Sequence, residues 1–207
     1  ICMGASIGMA HGMSKALKDK GKGKVVGVIG DSTFLHSGIA PLMNMAYNQS
    51  DALIIILDNS TTAMTGMQEH PGTGYTLMGK ETKKVNLNIL ISALGIENIR
   101  VIDPNNVKEA RIAIKDELAS SGPSVIIAQS PCVLFKRANQ KPKPPLKVDP
   151  DACEGCRACL ELNCPPIAWK KGVTKEGSKR KGIAEIDETL CNGCGLCAQV
   201  CKFGAIG

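Results

Sequence analysis

CEGCRACLELNCPP, residues 153–166, and CNGCGLCAQVCKF, residues 191–203, hold eight of the ten cysteines of this 207-residue chain. Cys153, Cys156 and Cys159 follow one another with two residues between, and Cys164 comes next, before a proline. Cys191, Cys194 and Cys197 repeat the interval, and Cys201 closes the second run. Three thiolates at this pitch can wrap one face of an iron–sulfur cubane. Zinc would ask for a pair of cysteine pairs, not for a third cysteine two residues on. Disulfides belong to exported chains, and here the lysines follow the first small-residue stretch instead of preceding it, unlike a signal peptide. Both runs therefore read as cluster ligands.

The pair of runs resembles the two-cluster bacterial ferredoxins. It departs from them twice: four residues, Leu160 to Asn163, separate the third and fourth cysteines of the first run, and Lys202 stands where a proline usually follows the last cysteine. Neither departure removes a ligand. The resemblance implies crosswise ligation of two 4Fe–4S clusters. One takes Cys153, Cys156, Cys159 and Cys201; the other takes Cys164, Cys191, Cys194 and Cys197.

Upstream of the cysteines, residues 136–150 (KRANQKPKPPLKVDP) carry four prolines, which block helix and favour an extended spacer. The sequence thus divides into a domain over 1–135, a Pro/Lys linker over 136–150 and a small α+β ferredoxin-like domain over 151–207. In the first domain, short β-branched runs alternate with longer helical patterns. Val25–Gly30, Ala52–Asp58, Ile99–Asp103 and Val125–Gln129 read as buried strands, and Ile39–Tyr47, Val85–Leu94 and Val107–Ala119 as crossover helices. This order predicts an α/β fold with an open parallel sheet and helices on both faces. Residues 170–182, rich in lysine, read as an exposed hairpin between the cysteine runs.

Composition narrows the partners. The net charge of +6 is concentrated in the spacer, and aromatic residues make up only 3% of the chain, so bases would find nothing to stack on. Nucleic acid is not an expected partner. No apolar run is long enough to span a membrane, and a cytoplasmic location is expected. The chain opens at Ile1 inside a glycine-rich motif, which reads as one piece of a longer polypeptide.

Two strand ends carry the chemistry. VVGVIGDSTF (residues 25–34) delivers Asp31 beyond Gly30, and ALIIILDNSTT (residues 52–62) delivers Asn59, with Thr61 just after it. Asp31 and Asn59 are 28 positions apart, one strand–helix–strand unit. A carboxylate, an amide oxygen and a backbone carbonyl are hard ligands suited to Mg2+ held against a diphosphate. Gly30 would let the backbone approach that group, and MGASIG (residues 3–8) opens a helix whose first N–H groups can take its other end. The segment Asn59 to Lys84 is too long for an idle connection and reads as a functional loop.

GDS…DN resembles the GDG…NN diphosphate motif of thiamine-diphosphate enzymes, with Ser32 in place of the last glycine. CMGASIGMAHG, GDSTFLHSGI and LDNSTTAMTGMQEHPGTG, in that order before the cysteine runs, are similar to the large subunit of the indolepyruvate ferredoxin oxidoreductases. The resemblance implies oxidative decarboxylation of an aryl 2-oxoacid to an acyl-coenzyme A, with electrons passing singly through the clusters to ferredoxin. It implies that Asp31, Asn59 and the Thr61 carbonyl hold Mg2+. Gly4, Ala5, Ser6, Gly30, Ser32 and Thr33 would line the thiamine diphosphate. It also implies a glutamate-bearing pyrimidine-binding domain upstream and a small (beta) subunit as partners. His36 and His70 lie in the two functional loops and are candidates to face substrate or cofactor. His11 reads as packing, and Cys2 and Cys132 as buried small hydrophobes. Met43, Met45, Met64 and Met67 read as core filling. Pyruvate or 2-oxoglutarate as substrate, and a non-catalytic electron carrier, are the competing readings.

Overall fold

The computed structural model describes residues 2–17, 23–135, 143–174 and 180–207. The chain forms two compact units, Ile1–Ala138 and Asn139–Gly207.

In the first unit, α1 (Ala5–Leu17) leads to β1 (Val25–Gly30), β2 (Ala52–Asp58), β3 (Asn98–Ile102) and β4 (Ser124–Gln129). All pairings are parallel and the strand order is β1-β2-β4-β3. The strands form because each is a short run of branched apolar residues with both faces to bury. Their alternating side chains feed two cores. On one face Ile29, Ile54, Ile56, Val125 and Ile127 pack with Ile7 of α1, Leu42 and Met45 of α3 (Ile39–Tyr47) and Ile91 of α4 (Leu87–Ala93). On the other, Leu53, Ile126 and Ala128 pack against Ala110, Ala113 and Ile114 of α5 (Val107–Ala119). Asn86 and Asn106 start α4 and α5 by accepting N–H bonds from Ile89 and Glu109. The expected layering is present, with one asymmetry: α5 stands alone on its face, so Val26, Val28 and Leu57 are 43%, 50% and 47% exposed.

The segment after β1 is helical from its first residue. A turn, α2 (Asp31–Thr33), runs into a π-helical stretch, Phe34–Gly38, and then into α3. The wide turn is where this segment packs hardest. A Cβ on Gly4, whose φ is +88°, would lie 2.1 Å from Ser37 Oγ. Gly4 thus lets the start of α1 close onto the π-helical turn.

The second unit is built on the antiparallel pair β5 (Ile167–Lys171) and β6 (Gly182–Ile186), with α6 (Leu196–Val200) and a 3-10 turn, Ala158–Leu162. Cys159, Ala184, Cys197 and Ile206 form its small core. The pair is the hairpin read from the lysine-rich stretch, whose residues 175–179 lie outside the described residues. Of the proline-rich segment, 136–142 lie outside the described residues, and the remainder is hydrogen-bonded into this unit. Lys147 N–H donates to the Gly207 carbonyl at 2.8 Å, and Asp149 N–H to that of Ala205 at 2.8 Å. Prolines excluded a helix there, and the chain instead runs extended beside its own C-terminus.

Candidate functional site

The carboxyl ends of β1, β2 and β4 gather a buried polar network. Asp31, 3% exposed, begins the helical turn after β1, where a carboxylate suits the helix N-terminus. Its Oδ1 accepts the Ser32 N–H at 2.8 Å and its Oδ2 the Ser60 N–H at 3.0 Å. The same Ser60 N–H reaches Asp58 Oδ1 at 3.0 Å, and Gln129 Nε2 donates to Asp58 Oδ2 at 2.8 Å. Asp58 is 6% exposed. Two buried carboxylates thus share one amide, held in place by Ser60 at φ +61°. Such a pair asks for a cation, since burying charge without a counter-charge is costly.

Asn59 and Thr61 are drawn together by a turn in which Asn59 Oδ1 accepts the Thr61 N–H at 3.2 Å. Ser130 and Cys132 donate their N–H groups to the Asp58 and Asn59 carbonyls, both at 3.0 Å, and so fix this loop to the end of β4. Ser32 Oγ accepts from Thr62 Oγ1 at 2.8 Å, which joins the β1 loop to the β2 loop. Gly4, Ser6, Gly30 and Thr33 line one open cleft, together with Cys2 and Val28. A Cβ on Gly30 would touch nothing of the protein, and its φ of −77° is ordinary. The glycine is thus not required by packing or backbone. Three buried polar atoms lack a hydrogen-bond partner in this region: Ser6 Oγ, Thr61 Oγ1 and His70 Nε2.

The two candidate histidines part company. His36 is exposed and its Nδ1 lies 2.7 Å from the Ser32 carbonyl, one helical turn back. His70 is 5% exposed and its Nε2 is 3.4 Å from Asp31 Oδ2. His11 Nδ1 and Ser50 Oγ share a hydrogen bond at 2.6 Å, so the ring is a polar tie, not apolar packing. Other readings need correction. Cys2 is exposed and lines the cleft, and Cys132 is only half-buried. Met45 is core, whereas Met43 and Met64 are 52% and 85% exposed. Asp58 was missed. It looked like the apolar strand's last residue, and only its pairing with Gln129 across the sheet reveals its place.

In the second unit Cys153, Cys156, Cys159 and Cys201 line one pocket, with Trp169 and Ile206 among its walls. Burial, and then the neighbouring Cys153, Cys156 and Cys201, push the Cys159 thiol up. Burial likewise raises Cys164, followed by Cys194 and Cys191, and raises Cys197, with those same two cysteines contributing. The electrostatic neighbours thus fall into two crosswise sets. Among the described residues, no three His, Cys, Asp or Glu side chains close around a single metal ion.

Each CxGC turn uses its glycine for the same reason. Gly155 and Gly193 have φ of +66° and +68°, and a Cβ would lie 2.6 Å from the Gly182 carbonyl oxygen or 2.5 Å from that of Pro144. The extra residue of the first run is absorbed where the 3-10 turn ends on Asn163 at φ +50°. Backbone N–H groups face sulfur in both sets: Leu146 to Cys191 Sγ at 3.5 Å, and Ala205 to Cys201 Sγ at 3.3 Å.

A parallel sheet with buried carboxylates and a small-residue cleft at its strand ends, joined to a cysteine-rich unit, defines a cofactor-binding redox protein. The chain belongs to the thiamine pyrophosphate enzymes, matching their C-terminal TPP binding domain over residues 1–128. Residues 184–207 match the 4Fe-4S binding domain. The chain is 40% identical to indolepyruvate oxidoreductase subunit IorA of Pyrococcus horikoshii over 99% of its length and 33% of the relative's. It is 39% identical to the same subunit of Archaeoglobus fulgidus, over 100% of this chain and 31% of that one. It therefore spans about a third of the length of these relatives. Among solved structures, the thiamine diphosphate-dependent 4-hydroxybenzoylformate decarboxylase of Rhodococcus jostii superposes with a TM-score of 0.46 at 26% identity, covering 62% of this chain and 23% of its own. No helix among the described residues is long and apolar enough to cross a membrane.

Proposed function

We propose that this chain is the diphosphate-binding and electron-relay part of an indolepyruvate-type ferredoxin oxidoreductase, which oxidatively decarboxylates aryl 2-oxoacids to acyl-coenzyme A. The observation that carries the reading is the buried pair Asp31 and Asp58 sharing the Ser60 N–H. A divalent cation at Asp31 answers that charge, and the orphaned Ser6 hydroxyl in the small-residue cleft suits a diphosphate. On this reading Asp31, Asn59 Oδ1 and the Thr61 carbonyl hold Mg2+. Gly4, Ala5, Ser6, Gly30, Ser32 and Thr33 line the diphosphate, where the N–H groups opening α1 favour an anion. Gly30 keeps the wall of the cleft low.

When bound, thiamine diphosphate supplies the carbanion chemistry that releases carbon dioxide and yields two electrons. The chain's own residues hold and orient. Asp31 and Asn59 fix the metal, the small residues seat the phosphates, and His36 offers its exposed ring toward the substrate side. Cys153, Cys156, Cys159 and Cys201, and Cys164, Cys191, Cys194 and Cys197, would hold two 4Fe–4S clusters, which would supply single-electron transfer toward ferredoxin. The pyrimidine-binding domain, the small (beta) subunit and coenzyme A complete the reaction. Location in the cytoplasm fits this redox chemistry.

Asp31→Ala tests the site. Calorimetry on the intact protein should show Mg2+-dependent thiamine diphosphate binding abolished, with the visible spectrum of the clusters unchanged. Unaltered affinity would remove Asp31 from the site.

A further inference from the structure

His70, a side chain outside the motif, approaches the proposed metal carboxylate. It lies in the long loop after β2, 39 positions from Asp31. Its side chain is 1% exposed and that of Asp31 is 4% exposed, with Nε2 and Oδ2 3.4 Å apart. The ring's other nitrogen settles its tautomer. Nδ1 accepts the Gly72 N–H at 3.1 Å, so it must present its lone pair, and the ring proton sits on Nε2, facing Asp31. Nε2 makes no hydrogen bond, so the buried ring stands 3.4 Å from Asp31 Oδ2 with its donor unspent. The ring is also clamped in place: a Cβ on Gly72 would lie 2.9 Å from His70 Cε1 and 3.2 Å from Leu35 Cδ1. Asp31 thus accepts two backbone amides and faces one buried imidazole within ion-pair distance.

We infer that His70 is a positioning residue for the thiamine site, its buried, unspent Nε2–H standing close enough to the Asp31 carboxylate to steer it toward the orientation that presents a lone pair to Mg2+. This rests on the reading of Asp31 as a metal ligand. Outer partners that orient a ligating group govern metal affinity without touching the metal. The loop carrying His70 therefore sets how firmly the metal is held, and the neighbouring Gly72 sets where the ring stands.

The test titrates Mg2+ calorimetrically into the intact protein saturated with thiamine diphosphate, and records the EPR spectrum of Mn2+ bound in place of Mg2+. His70→Leu should weaken Mg2+ by about tenfold or more and alter the Mn2+ spectrum, while His70→Gln, which keeps an N–H donor, should stay within about threefold of wild type. Gly72→Ala, which displaces the ring without changing its chemistry, should follow His70→Leu. Should His70→Leu fail to fold, judged by its cluster spectrum, His70→Asn decides instead, being polar but too short to reach Asp31. Wild-type Mg2+ affinity in His70→Leu or His70→Asn, with binding lost in Asp31→Ala, would overturn the inference and leave the metal site standing. Absence of Mg2+-dependent thiamine diphosphate binding in the wild type would overturn both.

Discussion

Ser32 shows how a single residue can depart from a motif and gain a contact. Its hydroxyl accepts from Thr62, so the loops after β1 and β2 are tied by a side chain that a glycine could not supply. Ser32→Gly should therefore cost about 1 kcal/mol of stability, the net worth of one hydrogen bond, plus a few tenths for a glycine in a helical turn. Thiamine diphosphate affinity should hold, because the backbone path is unchanged. Chemical denaturation with calorimetry in parallel checks both, and a wild-type unfolding midpoint would remove the tie from the account. At this scale motifs in the sequence pointed to Asp31, Asn59 and the cysteines as candidates, whereas contacts between distant loops left no local trace. His70 meets Asp31 across 39 positions, and Asp58 meets Gln129 across the sheet.

Elements were legible where their signals were local. Val25–Gly30 and Ala52–Asp58 are apolar runs bounded by polar residues, and they are strands with those limits. The helical stretch from Asp31 to Gly38 was hidden because glycine, serine and threonine read as loop, and the close approach of Gly4 to Ser37 in its wide turn links residues 33 positions apart. The spacer was half-legible: its prolines exclude helix, yet Pro144 packs over Gly193 and Leu146 gives its N–H to Cys191. The cysteine runs themselves carry a prediction. Anaerobically loaded protein should contain about eight irons per chain and little zinc, from two four-thiolate sets. Because burial raises Cys159, Cys164 and Cys197, protons compete with iron for these sulfurs, and loading should go further as pH rises from about 6.5 toward the ordinary thiol value of about 8.5. Iron and sulfide assays after reconstitution across that range check this. About four irons, or loading that declines with pH, would remove one cluster or the thiolate account.

At the scale of the whole molecule, the chain joins a thiamine-binding sheet to a 4Fe-4S unit and spans about a third of the length of longer relatives. That juxtaposition in one polypeptide makes sense for a reaction whose electrons leave singly, since a thiamine enzyme without oxidation needs no clusters. The substrate is open to direct measurement. The intact protein, with its partner subunit, Mg2+, thiamine diphosphate and coenzyme A under anaerobic conditions, should show its cluster absorption bleach on adding indolepyruvate. Phenylpyruvate should bleach it too, pyruvate should do so poorly, and Asp31→Ala should not respond to any of them. Clusters that stay oxidised with indolepyruvate, or that are reduced as readily in Asp31→Ala, would contradict a relay fed from the thiamine site by aryl 2-oxoacids.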